Sequence, residues 1–244
     1  MEQLSQVAPR VFAHAPGSTA HVLHREYETR SPAILKPVGP HRYAADPRSE
    51  VLCCAYAVDD DPVQLWRPGD PIPPEFLEAA RNSNWIVIAH NDAFETAIEQ
   101  ELLHPRYGWP VIPLERHRCT MAMALAAGLP ARLSLVADAL ELSNRKDAAG
   151  ERLMHQTSKP RRAHKDEDPS QVYWFDDDAR LQRLSAYCRQ DVEVERELYN
   201  RLPPYHRQNN RGGSLAARLT IAASMFIGNS RRLPAKSPGR QRRR

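Results

Sequence analysis

Residues 85–95 read WIVIAHNDAFE, from Trp85 to Glu95. The five residues Trp85 to Ala89 are all apolar, with no alternation, which predicts a strand covered on both faces. His90-Asn91-Asp92 then supplies capping chemistry, and the spacing predicts a helix from about Ala93 to Leu103. A buried strand passing straight into a helix is the building unit of an α/β sheet. Earlier in the chain, Glu50 to Val58 (EVLCCAYAV) predicts a second strand covered on both faces. The turn Asp59-Asp60-Asp61 returns it through Pro62 to Trp66 as a hairpin. Ala20 to Glu28 (AHVLHREYE) has strand-type spacing, and Pro73-Pro74 opens a helix through Ala80. Thr120 to Ala127 and Leu133 to Leu142 have helical spacing, broken by Gly128-Leu129-Pro130. Asp178 to Leu202 reads as a long amphipathic helix, with Leu181, Leu184, Tyr187, Val192 and Leu198 mostly on one face, and Pro203-Pro204 stops it. Two stretches predict little regular structure. Residues 30–48 hold Pro32, Pro37, Gly39, Pro40 and Pro47, and residues 145–177 read as a charged, irregular, mobile insertion with Pro160 and Pro169. The expected fold is α/β, a mixed sheet with helices on its faces.

The chain has 244 residues, 41% hydrophobic and 26% charged, enough apolar material for a core and too much for wholesale disorder. Its longest apolar run, Leu219 to Ile227, is about half of what a membrane span needs. Residues 1–19 carry no signal-peptide block and read as a loose leader to a domain over residues 20–204. Four cysteines (Cys53, Cys54, Cys119, Cys188) without C-x-x-C spacing speak against a zinc knuckle or disulfide scaffold and predict a reducing, cytoplasmic setting. From Tyr205 to Arg244 there are ten Lys or Arg and no Asp or Glu, so of the totals of 34 and 30 the first 204 residues hold 24 basic and 30 acidic side chains. A basic extension of that kind is either drawn to polyanions, nucleic acid above all, or is a solvated disordered tail. Within it, Ser214 to Ile227 has the composition for one amphipathic helix.

Three groups of acids carry the chemistry. Glu26 and Glu28 are two apart at the end of the opening strand, so they share one face. Such a pair is either a solvated edge or the site of a cation that relieves the repulsion, and hard carboxylate oxygens suit Mg²⁺ or Mn²⁺. Glu95 lies where the strongest strand becomes a helix, and is either capping chemistry or a further ligand at a strand's carboxyl end. Tyr187 and Asp191 are four apart, neighbours on one helix face, and read alone could be a core-edge tyrosine and a surface acid. Lys159, Arg161, Arg162 and Lys165 are either a solvated charge run or contacts to the phosphates of an incoming strand. His90 and His117 lack a ligand partner at recognisable spacing and read as structural. No P-loop, G-x-G-x-x-G or Ser-His-Asp arrangement is present.

Taken together, the order and spacing of these acids resemble the three motifs of the DEDD 3′–5′ exonuclease superfamily. The tyrosine in YCRQD makes the resemblance to the DEDDy type, with its DnaQ-like, ribonuclease H-like fold of three layers around a central mixed sheet. LHREYETRS, HRYAADP-x-x-EVLCCAYA, VIAHNDAFE, RYGWPVIPLERHRCTMAMALAAGLP and AYCRQDVEVERELYNRLPP are similar to the proofreading domain of phage and prophage family A DNA polymerases, over about residues 21–204. The resemblance implies Glu26, Glu28, Glu95 and Asp191 as ligands of two Mg²⁺ or Mn²⁺ ions, with Tyr187 beside the attacking water. It implies Thr29, Asn91 and Phe94 around the terminal nucleotide, Phe94 serving there as a stacking face or else as core. The implied activity is hydrolysis of the 3′-terminal phosphodiester of single-stranded DNA ends, alongside a separate polymerase and without a membrane.

Two positions depart from that pattern. Glu26 stands where the family begins with Asp, and Glu95 where the second motif usually carries Asp, the latter a feature of the phage-type branch. The segment after Pro204 resembles nothing in a polymerase connector, so the expectation is a proofreading module standing alone without a polymerase domain, or the front of a split or truncated gene. Two other readings stay open: a catalytically impaired nucleic-acid-binding module, and an RNA-directed exonuclease of the same fold.

Overall fold

A computed structural model describes residues 20–145 and 147–203. The expectations for the leader, the basic tail and its amphipathic segment lie outside the described residues. Strand β1 (His21–Arg30) pairs antiparallel with β2 (Glu50–Val58), which pairs antiparallel with β3 (Gln64–Trp66). On its other edge β1 pairs in parallel with β4 (Trp85–Ala89), and β4 in parallel with β5 (His117–Cys119). The sheet order is β3-β2-β1-β4-β5.

Alternation along the two central strands creates two unlike faces. Leu23 and Tyr27 of β1, with Cys54, Tyr56 and Val58 of β2, enter the larger core. That core is closed by α1 (Leu35–Ala45), α2 (Pro74–Arg81) and the run from α3 (Asp92–Ile98) through a π-helical turn (Glu99–Leu103) into α4 (His104–Tyr107). Trp109, fully buried, stacks its edge against Tyr27 and Trp66 there. The opposite face of β2 offers only the small Cys53, Ala55 and Ala57, and these let α8 (Asp178–Arg201) lie close on the sheet through Cys188 and Val192. A bulge between Glu28 and Thr29, where Glu28 faces Cys53 but Thr29 faces Val51, returns Val51 to the larger core. On the α8 side, α5 (Thr120–Ala126) and α6 (Leu133–Ala139) pack on the end of that helix through Ala124, Val136, Val194 and Leu198. The result is a five-stranded mixed sheet between two helical layers, an architecture compatible with the ribonuclease H-like fold.

Local chemistry explains where regular structure departs from expectation. Residues 30–48 hold α1, because Gly39 at φ 78° kinks the chain and Pro40 restarts it. The stretch 145–177 contains α7 (Ala148–Thr157), whose N-cap Asp147 accepts from the backbone N–H of Ala149 and Gly150 at 3.0 Å. The rest of that stretch is irregular, tied by a bridge from Arg161 to Tyr173 and by the Ser31 N–H donating to the Ser158 carbonyl at 3.2 Å.

Candidate functional site

The parallel register of β1 and β4 sets the site. His24 lies opposite Ile88, so β1 runs on past the end of β4 and carries Glu26 and Glu28 to the sheet's carboxyl edge, where α3 begins. Both glutamates share the β1 face that looks at α8, as the hydrogen bond between His24 Nδ1 and Glu195 Oε2 at 2.6 Å shows for that face. The Cys188 thiol donates to the Glu26 carbonyl at 3.5 Å, one turn from Asp191. A two-residue step on a strand is about 6.6 Å and a four-residue step on a helix about 6 Å. Strand residues 24, 26 and 28 therefore climb in step with helix residues 195, 191 and 187. The acids of the first and third motifs are brought face to face by this match of repeats.

Electrostatics report the same proximity. Burial, then the neighbouring Asp191 and Glu28 carboxylates, with a smaller push from Glu26, raise the Tyr187 phenol far above its ordinary value. Burial and the Glu26 carboxylate hold Glu95 well above the usual carboxylate range, while Arg25 acts against them. Glu28, Glu95, Tyr187 and Asp191 are all buried, and Glu26 is half-buried. The Glu95 Oε2 atom finds no hydrogen-bond partner among the described residues. No three His, Cys, Asp or Glu side chains among the described residues are gathered tightly enough to grip a metal ion as they stand.

Glu26 and Asp191 line one cleft of about 210 Å³ together with His90, Asn91, Arg132, Leu133, Ser134 and Glu151. Asn91 occupies the N-cap position of α3 without a side-chain capping bond and lines the same cleft. Thr29 and Phe94 lie on the other side of the sheet edge. Thr29 Oγ1 is 3.0 Å from the Tyr43 hydroxyl, and the Phe94 ring packs 5.9 Å from that of Tyr43, against the larger core. His90 and His117 have structural partners. His90 Nε2 meets the Ala131 carbonyl at 2.7 Å, and His117 Nδ1 meets Asp92 at 3.1 Å.

Three contributors escape a reading of the sequence. Arg132 lines the cleft and pairs with Glu151 of α7 at 2.9 Å. Gly150 of α7 lies against the Tyr187 ring so closely that a Cβ there would collide with Cδ2 and stand 2.7 Å from Cγ. Only glycine lets α7 cover the tyrosine, and a glycine inside a charged stretch was the available signal. Beneath the site Arg25, fully buried, donates from Nε to Glu99 at 2.6 Å and from Nη2 to Asp92 at 2.9 Å. The Tyr27 hydroxyl donates to the same Glu99 oxygen at 2.8 Å. This buried network clamps α3, and with it Glu95, onto β1.

An α/β sheet that gathers buried carboxylates at the carboxyl end of its central strands is the class these features define. The chain is 35% identical over 192 residues, 74% of its length, to a DNA polymerase of Bacillus phage SP02. It spans 28% of that polymerase. No protein-family model and no solved structure match the chain. Among the described residues no helix is long and apolar enough to cross a membrane.

Proposed function

We propose that the protein is a metal-dependent 3′–5′ exonuclease that trims single-stranded DNA ends and releases nucleoside monophosphates. The observation that carries this reading is the facing of β1 and α8, which sets Glu26 and Glu28 against Tyr187 and Asp191, with Glu95 within the field of Glu26. The similarity of three quarters of the chain to a phage DNA polymerase supports a nucleic-acid enzyme of the proofreading kind.

The donor set fits hard divalent ions: every candidate ligand is a carboxylate, and Glu95 keeps a buried oxygen that the described residues leave unsatisfied. Glu26, Glu28, Glu95 and Asp191 would hold two Mg²⁺ or Mn²⁺ ions, and four carboxylates balance their charge. Bound there, such ions supply Lewis acidity and a water of lowered pKa. Tyr187, its proton held tightly by burial and its acidic neighbours, orients that water by hydrogen bonding rather than accepting its proton. Gly150 and α7 fix the tyrosine ring from behind. Asn91 offers its amide to the terminal nucleotide. Arg132, at the same cleft, is placed to exchange Glu151 for the scissile phosphate.

The test is incubation of the full chain with a 5′-labelled single strand in Mn²⁺ or Mg²⁺, beside Asp191→Ala. A ladder shortening from the 3′ end with the parent and absent with the variant is expected. A parent that holds the strand without shortening it would establish the binding module instead. Repeating the assay on an RNA strand reads the sugar preference, because the 2′-hydroxyl is what distinguishes the two polymers.

A further inference from the structure

Three consecutive aromatic residues, Tyr173, Trp174 and Phe175, each carry an arginine over the ring. Arg161 lies 4.9 Å from the Tyr173 centroid, Arg30 4.9 Å from that of Trp174, and Arg180 5.5 Å from that of Phe175. Significant cation–π pairs occur about once in 70–80 residues, so three on adjacent positions are a built feature. The arginines come from three separate places, namely the end of β1, the segment after α7 and the first turn of α8. Each is itself fixed. Arg30 is held by Glu50 at 2.6 Å and Asp176 at 3.1 Å, Arg161 by Glu167 at 2.6 Å through both of its terminal nitrogens, and Arg180 by Asp177.

Those carboxylates neutralise the guanidinium groups, so the arginines act as stacked planes rather than as free charge. The rings remain half-buried, not absorbed into a core. Free charge comes from the same strap, where Lys159, Arg162 and Lys165 stand exposed. The location is equally specific. Arg30 is two residues beyond Glu28, and Ser158, which starts the strap, accepts the Ser31 N–H. The aromatic run therefore borders the carboxyl edge of the sheet where the acids gather. Planar rings and guanidinium planes beside exposed cations are what a flexible single strand needs: stacking for bases of any sequence, charge for phosphates.

We propose that residues 159–175 form a stacking platform for the single-stranded nucleic acid upstream of the 3′ end, with Trp174 as its principal base contact. The proposal rests on the nuclease reading for the identity of the strand, and its test does not depend on hydrolysis. Binding of 5′-fluorescein oligothymidylates to the full chain is measured by anisotropy in EDTA. Trp174→Ala should weaken a strand of about twelve nucleotides roughly tenfold and leave one of about three unchanged, since each stacked base accounts for a loss of that order. Trp174→Phe should bind like the parent yet lose most of the tryptophan quenching that the long strand causes. Parental affinity in Trp174→Ala, or equal losses on both lengths, would overturn the platform. Should Trp174→Ala unfold, quenching by the strand that persists in Trp174→Phe overturns it as well. A parent that binds with the expected length dependence but never shortens a strand in Mn²⁺ would refute the nuclease reading and leave the platform standing.

Discussion

Glu26 is where charge and geometry part company. It occupies the position at which the family it resembles begins its first motif with aspartate. Its carbonyl accepts from the Cys188 thiol, and it lines the cleft beside Asp191. One added methylene carries the carboxylate about 1.5 Å further. A catalytic constellation tolerates about 0.5 Å of displacement. Errors near 1 Å cost about a hundredfold in rate. Glu26→Asp should therefore raise turnover by about that factor in a single-turnover assay with Mn²⁺, with the melting temperature little changed. A variant no faster than the parent would mean that the active geometry is already built around glutamate. The acids themselves were legible in the sequence because each sits in a short string with a fixed place on a strand end or helix face. Whether they converge was not, since convergence depends on how α8 lies on β1.

Elements were readable where one face or both decide them. The strand at Trp85–Ala89 and the helix starting at Asp178 follow the sequence pattern closely, because burial leaves no competing arrangement. β5 is three residues of HRC, too short and too polar to show a period, and is a strand only because β4 offers it an edge. Arg25 is the clearest case of a residue whose role is tertiary. In a strand, an arginine on the core-facing side reads as a mismatch until Glu99 and Asp92 arrive from α3 and its π-helical turn. Removing it would leave Glu99 and Asp92 buried without the guanidinium that balances them, a loss of about 3–5 kcal/mol. Arg25→Met should lose that much by urea denaturation, and adding Glu99→Met should recover part of it. Additive losses would show that the network does not act as a unit. The strap after α7 responds to pH instead. Glu167, bound through both oxygens by Arg161 and by the His164 N–H, is held down to about 2 from an ordinary 4.5. A carboxyl depressed on folding contributes its stabilisation above the unfolded value and loses it as pH falls towards the folded one. The strap should thus become protease-sensitive between about pH 4.5 and 2, and Glu167→Gln should show that sensitivity already at neutral pH. Equal cleavage of variant and parent at pH 7 would remove Glu167 as its anchor.

For the molecule taken entire, the charge is divided against itself. The first 204 residues hold 24 basic and 30 acidic side chains, and the last forty hold ten basic and none acidic. An acidic body repels the polyanion it is proposed to cut, so attraction must be supplied locally. The strap's exposed Lys159, Arg162 and Lys165 supply part of it, and residues 205–244 carry the larger reserve. Each phosphate neutralised on a single strand adds about 0.7 to the slope of log affinity against log salt. If five of the ten basic residues meet phosphates, deleting residues 205–244 should flatten that slope by about 3–4 units between roughly 50 and 200 mM salt. Affinity should fall most at the low end. The rate on a saturating short strand should stay unchanged, because the acids, Tyr187 and α7 all lie within residues 26–191. The measurement is a salt titration of oligothymidylate anisotropy in EDTA for both forms. An unchanged slope would mean that the body alone carries the strand, and the strap's three cations would then account for no more than about 2 units of it.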